Sequence, residues 1–378
     1  MKQAAVGQKD SMNITERIFQ FNWSYLFFIT VVAVVGYFAL YSAAGGDSDP
    51  WASRHAIRYG IGLVGLIIVA MIDLKVWQAL AYPLYALGLL LLIIVEIKGQ
   101  IGMGAQRWIN LGFMNLQPSE VMKIVVILAL ARYFSRVTVE EVRNPKTLLV
   151  PLALIGMPTL LVLIQPDLGT ALMIIMAGAA IFFLSGLPYI WFAGAAGGAL
   201  AMIPIAWQFF LHDYQKNRVM TFLNPENDPL GTGYHITQSK IALGSGGLTG
   251  KGFLEGTQSR LNFLPEKQTD FIFTLFAEEW GFIGGCVLMG LFIVLMIYGY
   301  LIAFRSNNSF GRLLALGLTT NFLLYVFINI SMVMGLIPVV GVPLPMISNG
   351  GSAMLSVLFG FGLIMCVYIH RDYKLLRR

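Results

Sequence analysis

The chain alternates long apolar runs with short polar connections. A run of about 20 apolar residues crosses a bilayer as one helix. Ten such runs lie at roughly 23–44, 57–73, 78–97, 117–134, 147–165, 168–185, 189–211, 272–304, 311–335 and 348–370. The first run is long enough to span, and no short apolar segment with a small-residue cleavage site precedes it. It therefore reads as a span and not as a cleavable signal. Asn13–Asn22 is mildly amphipathic and is expected on the membrane surface.

An even number of spans puts both chain ends on one side. Basic residues choose the side. With the ends inside, the inner segments hold Arg17, Lys75, Arg132, Arg136, Arg143, Lys146, Arg305 and Arg312, besides those near the two termini. The short outer loops hold only Arg54, Arg58, Lys98 and Arg107. Both ends are therefore expected in the cytoplasm. The predicted organisation is a cytoplasmic or interfacial segment 1–22, spans one to seven over 23–211, and a long outer loop 212–269. Spans eight to ten follow over 270–371, then a cytoplasmic tail 372–378. Long loops translocate largely regardless of charge, so the basic residues of 212–269 do not oppose this orientation.

Composition sharpens the class. The chain has 378 residues, 57% hydrophobic and 12% charged. Soluble domains carry about 25% charged residues. The expected fold is an all-α polytopic membrane protein of ten helices. A net charge of +6 then reflects membrane anchoring and not nucleic acid as a partner. Cys286 and Cys366 sit in apolar runs and read as small hydrophobes. The four histidines have no metal-ligand spacing.

Two apparent motifs are set aside. "GSGGLTGKGF" (Gly244–Phe253) lacks the spacing and the final Ser or Thr of a phosphate loop. It reads instead as the end of a short amphipathic helix over Tyr234–Leu243, closed by Gly244 in a left-handed cap. Gly194/Gly198 and Gly281/Gly285 have the spacing of close helix packing.

Ionisable groups near spans are costly to bury and mark candidate sites. Glu120 and Lys123 are three apart in "NLQPSEVMKI" and share a helix face. They read either as a structural ion pair or as the lining of a polar cavity. In "QPDLGTA", Asp167 can cap the sixth span beside Gln165. In "GAQRWINLGF", Arg107 beside Trp108 suits a lipid phosphate or an interfacial anchor. Pro338, Pro343 and Pro345 exclude a regular helix before the last span. Ser348, Gly350 and Gly351 follow there in a turn that permits close backbone approach. "LPEKQTDFIF" brings Glu266, Lys267 and Asp270 to the start of the eighth span. Asp270–Gly281 reads as a helical extension of that span, with Glu278 and Glu279 strung along the outer face. Asp270 would sit near the helix start, where a carboxylate can cap.

Taken together, "NLQPSEVMKI", "QPDLGTAL", "LPEKQTDFIFTLFAEEWGFIGG" and "IPVVGVPLPMISNGGSAML", in this order on ten spans, resemble the SEDS family of bacteria. These are the shape, elongation, division and sporulation glycosyltransferases. The likeness covers about residues 20–375. Asn329–Pro345 is more similar to the elongation branch than to the division branch. Where the family commonly has Ser-Tyr-Gly-Gly-Ser, this chain has Ser348-Asn349-Gly350-Gly351-Ser352, keeping the glycine turn without the tyrosine.

The resemblance implies a peptidoglycan glycosyltransferase that polymerises lipid II at the outer face of the bacterial cytoplasmic (inner) membrane during cell elongation. It implies Asp270 as the essential acid and a class B penicillin-binding protein as the transpeptidase partner. Elongation-complex membrane proteins such as MreC and MreD are further implied partners. A weak sugar nucleophile needs a positioned base, and Asp270 is the expected one, inverting the anomeric centre. Arg107 and Lys267 are expected at the pyrophosphate, with Arg218 a lesser candidate and a divalent cation such as Mg or Mn a candidate helper. Glu120, Lys123, Asp167, Gln165 and Glu279 are expected to form a polar network in the cavity. A lipid II flippase and a non-catalytic scaffold are the rival readings. Transporter sites usually lie near the midplane, whereas the acidic motif here is at the outer mouth.

Overall fold

The computed structural model describes residues 13–102, 105–110, 112, 115–210, 213–224, 232–261, 263 and 266–372. Both expected cytoplasmic ends fall largely outside these residues. So do residues 225–231 of the long connection, and Leu264 and Pro265 of "LPEKQTDFIF".

Among the described residues, ten helices of 17 or more residues stand where the apolar runs predict them, and eight are long and apolar enough to cross a membrane. The ten are Trp23–Ala43, Ala52–Met71, Leu74–Lys98, Pro118–Phe134, Pro145–Ile164, Leu168–Leu184, Tyr189–Ile205, Ile272–Arg305, Ser309–Val333 and Gly351–Ile369, the first to tenth spans. Local chemistry sets their starts. Asn22, Asp73, Asn144, Asp167 and Asn308 each accept a backbone N–H of the following turn. Pro118 and Pro145 occupy first turns, where a missing N–H costs nothing.

The fourth, ninth and tenth spans are buried along most of their length and form the centre. The tenth packs on the second, the ninth on the eighth and the fourth on the third. The seventh span has no buried residue. Gly194 and Gly198 face nothing within 4 Å, so the packing expected from their spacing does not occur. After Pro204 this helix continues as a π-helical turn, Ala206–Phe210.

Three departures from the expected pattern bear on the site. Between the third and fourth spans the chain forms a small antiparallel sheet where a loop was expected. Its strands are β1 (Gln100–Gly102), β2 (Ala105–Asn110) and β3 (Asn115–Leu116), in that order. Second, the helix of the long connection runs Thr232–Ser245, past Gly244. Gly246 N–H still reaches Ala242 O at 3.2 Å, and the left-handed residue is Gly247, with φ 56°.

Third, the eighth span is broken at Gly281, with φ 65° and ψ −167°, a conformation open to glycine alone. The loop 247–252 fills the break. Lys251 and Gly252 donate N–H to the carbonyls of Glu278 and Glu279, both at 3.0 Å. Phe282 N–H reaches Gly247 O at 2.9 Å, and Ile283 N–H reaches Leu248 O at 3.1 Å. Gly281 therefore serves a backbone break and not a helix–helix contact. The helix also begins at Ile272, with Phe271 at the N-cap. Asp270 lies in the preceding turn and neither extends nor caps the helix.

Candidate active site

Residues 266–271 make the turn that enters the eighth span. Glu266 takes a left-handed backbone, φ 55°, uncommon for a residue with a Cβ. Thr269 donates its N–H to Glu266 O at 3.0 Å and its hydroxyl to Glu266 Oε2 at 2.9 Å. Three successive carbonyls of this turn are each taken by a donor from elsewhere in the fold. Asn349 N–H reaches Gln268 O at 2.8 Å. Ser348 Oγ donates to Thr269 O at 2.6 Å. Asn329 Nδ2, from the ninth span, donates to Asp270 O at 2.9 Å and also to Val342 O at 2.7 Å. Non-local hydrogen bonds thus fix the main chain that carries the Asp270 carboxylate.

Two of those donors lie in the irregular segment before the tenth span. Pro338, Pro343 and Pro345 keep it from becoming helix, as expected. Ser348 Oγ accepts Leu344 N–H at 2.8 Å and so closes the segment on itself. The close backbone approach comes from the first span, where any Cβ on Gly36 would overlap the Met346 carbonyl. Gly350 is the N-cap of the tenth helix and Gly351 its first residue. Residues 339–342 gather the rest of the site. Arg218 donates to Val339 O at 3.2 Å. Val340 sits against Gly169 at the start of the sixth span, and a Cβ on Gly341 would stand 3.6 Å from Asp270 Oδ2.

Asp270 is half-buried. Burial pushes its carboxyl up to about 6, and the nearby Glu266 charge adds to this, while Arg218 opposes it. Arg218, the lesser candidate from sequence, is therefore a cation that acts on Asp270 electrostatically. Lys267 is half-buried, and burial lowers its ammonium.

Arg107 is on β2 and points at the turn between the fifth and sixth spans. Its Nε donates to Gln165 O at 3.2 Å, one Nη donates to Pro166 O, and Asp167 lies 3.9 Å away. Asp167 caps the sixth span through Thr170 N–H at 3.2 Å and also accepts Thr170 Oγ1 and Gln117 Nε2. Gln165 donates to Leu92 O at 2.9 Å. Deeper in the bundle, Lys123 and Glu120 pair at 2.7 Å, both buried. Tyr325 OH donates to the other Glu120 oxygen, and Lys123 Nζ lies 4.3 Å from the Tyr325 ring centre. Glu120 and Lys123 thus face a tyrosine of the ninth span.

Glu278 and Glu279 are not strung along the outer mouth. Glu278 is fully buried, held by Lys251 Nζ at 2.7 Å, Gln258 N–H at 3.0 Å and Thr257 Oγ1 at 3.2 Å. Glu279 accepts the Ser42 hydroxyl of the first span. Both carboxylates brace the broken helix against its surroundings.

Among the described residues, no three His, Cys, Asp or Glu side chains cluster to hold a metal ion. Asn329, Tyr325 and Gly36 escape a reading confined to residues charged at neutral pH. The signal for Asn329 is an amide within an apolar span, where an unpaired polar group is costly.

Eight described helices long and apolar enough to cross a membrane, with a carboxylate fixed in the turn that enters one of them, define a multi-pass membrane protein with a charged site at one end of the bundle. The chain belongs to the FtsW/RodA/SpoVE family of cell cycle proteins, whose model matches residues 16–373. It is 47% identical over 346 residues to the peptidoglycan glycosyltransferase MrdB of Escherichia coli K12, over 91% of this chain and 92% of that protein. Its fold matches a solved peptidoglycan synthase complex of coordinated polymerization and crosslinking. The TM-score is 0.81 and the identity 30%, over 94% of this chain and 99% of the other. It also matches the rod shape determining protein RodA of Thermus thermophilus. There the TM-score is 0.70 and the identity 28%, over 94% and 98% of the two chains.

Proposed function

We propose that this protein is a peptidoglycan glycosyltransferase that polymerises lipid II at the outer face of the cytoplasmic membrane, with Asp270 as general base. The supporting observation is the fixed turn. Three donors from the ninth span and the loop before the tenth hold the carbonyls of Gln268, Thr269 and Asp270, and so aim one carboxylate. A positioned base contributes about 10²–10⁴-fold when its acidity is near the working pH. An Asp270 carboxyl raised to about 6 meets that need, being mostly ionised at neutral pH yet a better proton acceptor than an ordinary aspartate.

In the proposed step the acceptor's 4-hydroxyl oxygen forms a bond to the donor's anomeric carbon. Its proton passes to an Asp270 carboxylate oxygen. The bond from the anomeric carbon to the pyrophosphate oxygen breaks on the opposite face, and the polyprenyl pyrophosphate leaves. One displacement inverts the centre. Arg218 and Lys267 are the cations assigned to the leaving group. Arg107 supports the site by holding the 165–167 turn. Polyprenyl tails kept in the bilayer hold both substrates at one surface and reduce the entropic cost of their meeting.

The basic inner segments support cytoplasmic ends and an outward-facing site. A crosslinking partner, a class B penicillin-binding protein, is supported by the similarity to a synthase complex that couples the two activities. The test is reconstitution in liposomes with labelled lipid II. Glycan polymer on a gel is the expected product, with or without a chelator as a separate arm for cation dependence. Headgroup movement across the bilayer without polymer would replace this reading with a flippase.

A further inference from the structure

Arg58 lies within the first two turns of the second span, which starts at Ala52. Its Nη1 donates to Asn349 Oδ1 at 2.8 Å. Asn349 N–H in turn donates to Gln268 O at 2.8 Å. Two hydrogen bonds therefore join the second span to the turn that carries Asp270. The Asn349 side chain makes no other hydrogen bond among the described residues. Gly351 closes the other side of the guanidinium, since a Cβ there would stand 3.0 Å from both Cζ and Nε. The Arg58 head is thus seated between the first residue of the tenth helix and the Asn349 amide.

We propose that Arg58 is a positioning residue for Asp270, acting through Asn349 to fix the Gln268 carbonyl and hence the aim of the carboxylate. The proposal rests on the reading of Asp270 as base. Ser348 and Asn329 hold the next two carbonyls. Releasing the third support leaves the turn free to pivot about the other two. A misplacement of about 1 Å at a reacting group can cost about 100-fold in rate, and partial loosening costs less. Arg58 is suited to the task because its planar fork loses little freedom per hydrogen bond. It touches no reacting atom in this scheme.

The test uses the full chain with its crosslinking partner in liposomes and labelled lipid II. Arg58→Gln and Asn349→Leu are each expected to lower kcat about tenfold with KM unchanged, the signature of a group that matters in the transition state. The double variant falls no further than the worse single, because both changes cut one relay. Asn349→Asp keeps the acceptor oxygen and restores the rate lost in Asn349→Leu. Three results overturn the inference: multiplied losses in the double variant, native kcat in either single, or Asn349→Asp as slow as Asn349→Leu. Thermal unfolding confirms folding of each variant. If Arg58→Gln does not fold, the Leu and Asp variants at 349 still decide the question. Asp270→Asn is run alongside. Native-like polymer from it sinks the reading of the base. No polymer from it, with Arg58→Gln and Asn349→Leu at native rate, sinks the positioning role alone.

Discussion

Asp270 carries its charge at a cost. The turn buries its carboxyl and sets Glu266 near it, and both effects favour the neutral form. The rate of a reaction that needs the ionised base should therefore rise with pH through about 6 and then level. Arg218 favours the ionised form, so Arg218→Gln should move the acid limb to higher pH. A pH–kcat profile for the two proteins checks this. Stability carries the opposite sign. A carboxyl raised in the fold contributes stability below its unfolded value, near 3.8, that is lost as pH rises through about 6. Asp270→Asn should then be more stable than the native protein at pH 7.5. At about 1.4 kcal/mol per unit, discounted for partial exposure, the gain is on the order of 1–3 kcal/mol. It should vanish by about pH 4, as thermal unfolding at the two pH values will show.

At the scale of elements, the site is a meeting of the eighth and ninth spans with the loop before the tenth. Asn329 is the joint, because one amide nitrogen serves the carbonyls of Asp270 and Val342. Asn329→Leu leaves both without that donor, at about 1–3 kcal/mol for each buried group left unsatisfied. It should cost stability and lower kcat by at least tenfold, measured by unfolding and by polymer synthesis. The Glu120–Lys123 pair is a second joint, between the fourth span and Tyr325 of the ninth. Lys123→Met alone strands a buried carboxylate and should cost about 3–5 kcal/mol. Adding Glu120→Gln should recover part of that loss, which a double-mutant unfolding series checks.

The spans themselves are legible in the sequence because crossing a membrane demands about 20 apolar residues at a stretch. The prolines at 338, 343 and 345 likewise announce a non-helical segment. Gly281 is different. Its GxxxG spacing suggests packing, yet the break depends on hydrogen bonds to 247–252 that span 27 to 35 residues. The same holds for Asp270. Its position beside charged residues is visible, but the donors that aim it come from Asn329, Ser348 and Asn349. Pairings over such separations leave no local pattern to read. The β2 strand under Arg107 is missed because six residues in a short connection carry too little periodicity.

For the whole molecule, a buried centre of the fourth, ninth and tenth spans holds the site at one end of the bundle. The seventh span adds apolar surface without burying any of its own residues. In the proposed reaction this arrangement would keep the reacting headgroups at the membrane surface while lipid tails stay in hydrocarbon. The central claim is that Asp270 takes the acceptor's proton. The most direct measurement compares native protein with Asp270→Asn, each reconstituted with the crosslinking partner and labelled lipid II and matched for folding. The account predicts that the variant still binds lipid II but loses at least 100-fold in polymer synthesis. Equal polymer from both proteins would contradict it and leave Asp270 a structural residue of the turn.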